Sequence, residues 1–298
     1  MLIKAHAKIN WYLRVAGKRE DGYHLLDMLM QQISLHDDIQ LLPSEELTLQ
    51  VLNASPVPDN TDNLAYRAAK ALQDYAGTSS GAVITLKKRI PVGAGLGGGS
   101  ADAAAVLHGL NKMWVLNLSL RTLSEIGLSL GADIPYCLTG GFARVQGIGE
   151  VVEPLPALRQ YWLVVIQPCK GLSTKEVFGS LDISPDKAGD TSGIMQVQDA
   201  IDRGDYHALN QFSRNDLQQT SALLRPAIQD AVRLLMSTGA KHAMMSGSGS
   251  AVFGVFGTYQ LAKTAYKSIN KKYRSCYLTY TLKDNPYQAF FKNFTQIK

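Results

Sequence analysis

Apolar residues in the first part of the chain alternate with polar ones or run in short blocks. Residues 2–16, the stretches MLMQQISL and DIQLL, and LTLQVL at 47–52 therefore predict strands. The period changes over Asn63–Tyr75, where Leu64, Ala68, Ala71, Leu72 and Tyr75 recur every three or four positions and predict a helix. A strand, AVITLKK, precedes a glycine-rich segment; a helix is expected from Ser100, and another near Ser119–Leu130 that Gly131 ends. FARVQ and EVVEPL close this half as strands, and Pro154 and Pro156 mark a boundary. The pattern predicts two domains, residues 1–156 and 157–298. In the second, YWLVVIQP reads as a buried strand, and helices are expected over Thr174–Ser180, Ile194–Arg203, Tyr206–Leu217 and Pro226–Thr238. KHAMM, a Gly-Ser turn, AVFGVF, a helix over Tyr259–Lys272 and CYLTYTL follow. Elements mixed without regular alternation predict an α+β fold, and the order strand, helices, strand, strand, helix, strand predicts a ferredoxin-like second domain.

Composition narrows the function classes. Of 298 residues, 46% are hydrophobic and 18% charged, as in an ordinary soluble globular protein, and the length suffices for two domains with cores of their own. The net charge of +5 is spread thinly, and the one tight basic cluster, Lys87-Lys88-Arg89, reads as a solvated strand end, so no nucleic-acid partner is expected. The longest apolar run, Trp162–Ile166, is far short of a membrane span, and Met1-Leu-Ile-Lys enters a strand pattern; a cytoplasmic protein without a membrane partner is expected. Three widely spaced cysteines and six histidines without paired spacing indicate neither a disulfide framework nor a protein metal site.

The candidate chemistry begins at Pro91–Ala105, PVGAGLGGGSADAAA. Glycines at 93, 95, 97, 98 and 99 let the backbone bring its N–H groups close to an anion, and a helix start adds its positive dipole end, so the segment reads as a phosphate cradle. GAGLGG satisfies the dinucleotide pattern, but the acidic residue expected about 20 positions on is missing. No G-K-S or G-K-T closes the run, which excludes a P-loop. Asp133 in GADIPY stands on a tight turn where Pro135 stops a helix from propagating; it is either a rigidly held base or a helix-capping acid. Lys8 in AHAKIN lies on a strand and is either solvent-facing or, opposite Asp133, able to neutralise a transferring phosphate. MMSGSGSAVFG at 244–254 is a hairpin turn or a second anion contact.

Together these marks resemble the small-molecule kinase family named after galactokinase, homoserine kinase, mevalonate kinase and phosphomevalonate kinase. The resemblance rests on AKINWYLRVAGKREDGYHLL at 7–26, the loop at 91–100, GLGGGSADAA at 95–104, LGADIPY at 130–136, RNDL at 214–217 and GSG at 247–249. It implies a two-domain α+β kinase fold, with an amino-terminal α/β domain like that of ribosomal protein S5 and a ferredoxin-like carboxy-terminal domain. The implied reaction is ATP-dependent phosphorylation of the 2-hydroxyl of 4-diphosphocytidyl-2-C-methyl-D-erythritol, a cytidine diphosphate-linked polyol of non-mevalonate isoprenoid precursor biosynthesis. Mg²⁺ is expected on the nucleotide, with no protein metal ligand assigned, and a monomer or weak homodimer is expected. Pro91, Val92, Gly93, Ala94, Gly95, Leu96, Gly97, Gly98, Gly99, Ser100 and Ala101 would bind ATP. Asp133 would be the base and Lys8 its partner; Asn10 would bond substrate; Tyr23, His24, Thr174 and Phe178 would form the cytidine pocket. Ala94 stands where many relatives have glycine, a change the cradle tolerates if φ there is negative.

Overall fold

The computed structural model describes residues 1–52, 57–59, 61–181 and 192–287; residues 288–298, where the expected second domain ends, lie outside the described residues. The first sheet holds β1 (Leu2–Lys18), β2 (His24–Ser44), β3 (Leu47–Val51), β4 (Gly81–Lys87), β5 (Phe142–Gly147) and β6 (Val151–Leu155). Its order is β3-β4-β2-β5-β6, with β1 paired to β2. All pairs are antiparallel except β3 with β4. The second sheet, β10 (Cys276–Tyr280), β7 (Trp162–Ile166), β9 (Val252–Phe256) and β8 (His242–Met245), is antiparallel in the order β10-β7-β9-β8. With helices between β7 and β8 and one between β9 and β10, this is the ferredoxin-like order expected from the pattern.

The expected break between MLMQQISL and DIQLL is absent, because β2 runs unbroken for 21 residues. Both halves pair with β1, whose register shifts at three places. Residues 5–15 of β1 are buried without interruption, since both of its faces are covered. Ile3, Ala5, Leu13 and Val15 join one core with α1 (Leu64–Ala76) and α2 (Gly98–Met113). Ala7, Ile9, Trp11 and Tyr12 join another with Leu163, Phe253 and Val255 of the second sheet and with α6 (Ser192–Arg203). The chemistry-bearing strand is therefore also the seam between the two sheets.

Other elements are α3 (Leu120–Leu128), α4 (Ile134–Thr139), α5 (Thr174–Gly179), α7 (Tyr206–Phe212), α8 (Gln218–Leu224), α9 (Ala227–Ser237) and α10 (Tyr259–Ile269). Several helices differ from the sequence pattern. The helix expected over Tyr206–Leu217 ends at Phe212, because the residues beyond it pair with β1. The helix after the glycine run starts at Gly98, since Gly97 enters it with φ +69°, and Ser100 lies inside its first turn without capping it. Pro135 opens α4 near its first residue, where its missing N–H costs nothing, instead of stopping a helix. In the Lys87–Arg89 cluster Lys87 and Arg89 are exposed at the strand end as expected, but Lys88 is buried between Asp37 and Asp102. No helix among the described residues is long and apolar enough to cross a membrane.

Three histidines titrate against the fold. Burial lowers His6, His108 and His242 each to about 4. They are neutral in the native state, whereas an unfolded histidine takes up a proton near pH 6.5. Their full contribution is present above that pH and is lost as pH falls toward 4. His108 bonds the Leu138 carbonyl at 2.9 Å inside the core. His108→Gln is expected to be less stable than the parent at pH 7, with the gap narrowing as pH falls below 6.5, by at most about 1.4 kcal/mol per pH unit. Urea unfolding of both proteins between pH 7 and 5 checks this.

Candidate active site

A cleft of about 1250 Å³ runs along the junction of the two sheets. Its floor is the glycine loop. Gly93, Gly95 and Gly97 take φ of +64°, +76° and +69°, conformations closed to most side chains, while Ala94 is not among the positive-φ residues. The Ala94 substitution thus leaves the cradle's shape intact, and its methyl is buried. In the first turn of α2 the N–H groups of Gly98, Gly99 and Ser100 precede the first intrahelical bond, Ala101 N–H to Gly97 C=O at 2.8 Å. These donors and the helix dipole make an anion site. Residues 91–100 all line the cleft. Ala101 does not: its side chain is buried and its N–H is already bonded within the helix.

Two arms grip this loop. The mouth is closed by the buried group that the sequence pattern did not reveal. Lys88 Nζ bonds Asp37 and, at 2.7 Å, Asp102 Oδ2 in α2, while Asp37 Oδ1 accepts the N–H of Arg89 and, at 2.8 Å, of Ile90. Two carboxylates raise the Lys88 pKa against the effect of burial, and burial pushes the Asp102 carboxyl up against the pull of Lys88. The second arm comes from the other sheet. Ala251 N–H donates to Ala94 C=O at 3.0 Å and Ser246 Oγ to Gly95 C=O at 3.1 Å.

Lys8 leaves β1 toward the same cleft, its own N–H donating to Leu96 C=O at 3.0 Å. Its Nζ lies 3.9 Å from Asp133 Oδ2, with side chains 5% and 38% exposed respectively. Asp133 occupies the position before α4 but makes no side-chain cap bond, so its carboxylate is left for the cleft. Between the capping and the cleft-facing readings, the geometry favours the second. Lys8 Nζ also donates to Asn10 Oδ1 at 2.8 Å. Asn10 is fully buried, and among the described residues its Nδ2 meets only the Met28 thioether, at 3.5 Å.

At the far end, Tyr23 on the β1–β2 turn is 60% exposed. The His24 and Phe178 rings stack with centroids 4.7 Å apart and planes 22° apart. Tyr23, His24, Thr174 and Phe178 all line the cleft, but Phe178 here rests on His24 rather than standing open opposite Tyr23. Burial lowers the His24 pKa, with Lys18 adding to it, so the ring is neutral near pH 7. Ser248 of the GSG element also lines the cleft, and its hydroxyl meets Thr174 Oγ1 at 3.0 Å.

An anion cradle facing a lysine–aspartate pair across a cleft of this size is built to move a phosphoryl group onto the hydroxyl of a small molecule. Residues 63–141 match the family described as GHMP kinases N terminal domain, and residues 197–275 the one described as GHMP kinases C terminal. The 4-diphosphocytidyl-2-C-methyl-D-erythritol kinase of Alkaliphilus metalliredigens (strain QYMF) is 41% identical over 278 residues, 93% of this chain and 94% of that protein. A crystal structure of 4-(cytidine 5'-diphospho)-2C-methyl-D-erythritol kinase aligns with a TM-score of 0.81 at 34% identity, covering 94% of this chain and 99% of that one. L. major mevalonate kinase, solved with R-mevalonate, shares the fold at a TM-score of 0.71 and 15% identity, covering 96% and 97% of the two chains. The chain belongs to the GHMP kinase family and is an ATP-dependent kinase.

Two substitutions test the cradle. A Cβ on Gly95 would lie 2.2 Å from the Ser246 carbonyl oxygen. Gly95→Ala is therefore expected to part the loops and lower kcat/KM for ATP at least tenfold, about 1.4 kcal/mol of transition-state binding, in steady-state kinetics. Asp37→Ala leaves the buried Lys88 ammonium with Asp102 as its one carboxylate and takes the acceptor from the Arg89 and Ile90 N–H groups, and is expected to cost about 3–5 kcal/mol in urea unfolding.

Proposed function

We propose that this enzyme transfers the γ-phosphoryl group of ATP to the 2-hydroxyl of 4-diphosphocytidyl-2-C-methyl-D-erythritol, in non-mevalonate isoprenoid precursor biosynthesis. The observation that carries the reading is the Lys8–Asp133 pair, 3.9 Å apart, in one cleft with the glycine loop. The names of relatives about 40% identical over nearly the whole chain support the choice of substrate.

In this reading the free N–H groups at the start of α2 hold the phosphates of ATP. Asp133 accepts the proton of the substrate hydroxyl as that oxygen attacks, and the Lys8 ammonium offsets the charge that develops on the attacking and equatorial oxygens. Burial of Lys8 makes its charge count for more than it would in water. Asn10, with Oδ1 committed to Lys8, has Nδ2 to offer the polyol. Tyr23, His24 and Phe178 take the cytosine, the Phe178 ring turning from His24 onto the base; stacking of a base on an aromatic ring is worth about 1–3 kcal/mol.

Mg²⁺ would be carried by the triphosphate. Among the described residues no three His, Cys, Asp or Glu side chains converge, whereas Mg²⁺ bound to phosphates needs only one or two protein oxygens, which Asp133 and the Ser100 hydroxyl can offer. When bound, the ion neutralises charge on the phosphates. A cytoplasmic location belongs to the same proposal.

The decisive assay measures ATP consumption with the cytidylylated polyol beside homoserine, mevalonate and the uncytidylylated methylerythritol phosphate. Turnover with the cytidylylated substrate alone is expected, and Asp133→Asn is expected to lower kcat by about 10²–10⁴-fold. Turnover with another alcohol instead would remove the cytidine pocket from the reading, and full activity in Asp133→Asn would remove the base.

A further inference from the structure

The sequence RNDL at 214–217 is a family mark to which nothing above gives a task. It lies between two elements that carry chemistry. On one side it runs along β1: Leu13 N–H donates to Arg214 C=O at 2.8 Å, Asp216 N–H to Leu13 C=O at 3.0 Å, and Val15 N–H to Asp216 Oδ2 at 2.9 Å. On the other, Asn215 Nδ2 donates to the carbonyls of Met245 and Gly247, both at 2.9 Å. Its Oδ1 accepts Leu217 N–H at 3.0 Å, which fixes the amide's orientation.

The Gly247 peptide is the link to the cleft. Its carbonyl is gripped by Asn215, and its N–H donates to Asn10 Oδ1 at 3.0 Å, the same atom that accepts Lys8 Nζ at 2.8 Å. Gly247 has φ +56° and no side chain of its own to hold it. A Cβ there would lie 2.8 Å from Gly95 C=O and 3.2 Å from Lys8 Nζ, so the peptide has little room to drift before it meets the cradle or the ammonium.

We infer that Asn215 is a positioning residue for phosphoryl transfer: by clamping the Gly247 peptide to β1 it fixes Asn10 Oδ1 and, through it, the Lys8 ammonium opposite Asp133. The side-chain type follows from the geometry. Two carbonyl oxygens must be met by two N–H donors on one atom, which a carboxylate of the same shape cannot supply and would repel. The inference rests on the reading of Lys8 and Asp133 as the reacting pair.

The test is steady-state kinetics of the full chain with ATP and the cytidylylated polyol, for Asn215→Ala, Asn215→Asp and Lys8→Ala, and for the double variant Lys8→Ala/Asn215→Ala. Displacing a catalytic group by about 1 Å costs on the order of 10²-fold, so kcat is expected to fall by about 10- to 100-fold in Asn215→Ala and further in Asn215→Asp. KM for ATP is expected to stay within about twofold, since the N–H donors of α2 are untouched. Because Asn215 acts through Lys8, the double variant is expected to be no slower than Lys8→Ala alone, whereas a merely structural loss would multiply with it. A kcat near the parent's in Asn215→Ala, or multiplied losses in the double variant, would overturn the inference while leaving the activity intact. A parent that does not turn over the polyol would instead overturn the reading beneath it. Should Asn215→Ala fail to fold, Asn215→Ser, which keeps one donor, carries the same comparison, with an intermediate kcat expected.

Discussion

Everything at the cleft depends on how closely two loops from two different sheets approach each other. A Cβ on Gly95 would stand 2.2 Å from the Ser246 carbonyl, one on Gly171 would stand 1.8 Å from the Gly93 carbonyl, and one on Gly97 would press on the aliphatic stem of Lys8. The backbones are in contact with no side chain between them. Such contact brings the start of α2 beside the GSG turn of the second sheet, with Lys8 and Asn10 lining the same cleft. Glycine here supplies the missing volume as much as the unusual φ.

Contact that close needs rigid supports, and the chain provides them from both sides. The buried Asp37–Lys88–Asp102 group ties the entry of the glycine loop to the helix that leaves it. A buried ionic group of this kind adds little net stability, but it allows one arrangement of its partners. From the other side, Ser250 Oγ bonds the Cys169 carbonyl at 2.7 Å and Gln167 Nε2 bonds the Val92 carbonyl at 3.1 Å, so the turn after β7 is fastened to both loops. Strand β1 carries the load between the two sheets. Its buried residues feed both cores, and Lys8 is held by a strand that can shift only if both cores shift.

Much of this could be read from the residues in order. The alternation in β1, the helical period over 64–75 and the strand order of the second half are local signals, and each formed as the pattern indicated. Where the reading slipped, a distant partner had intervened. Lys88 resembles a solvated strand end until Asp37, 51 residues away, and Asp102 close over it. The helix from Tyr206 looks able to continue to Leu217, yet its last residues leave the helix to pair with Leu13.

The sequence by itself determined the fold class and a glycine segment able to cradle an anion, because glycine conformation, hydrophobic period and helix-start chemistry are properties of a few neighbouring residues; roles for Lys8 and Asp133 came only from the family resemblance. The tertiary structure alone decided that Lys8 meets Asp133 across 125 positions of chain, that Asp133 faces the cleft rather than capping α4, and that Asn215 reaches the Gly247 peptide. Each of those facts joins residues far apart in the chain. Nothing in a short window of sequence encodes the distance between side chains that only the packing of distant elements brings together.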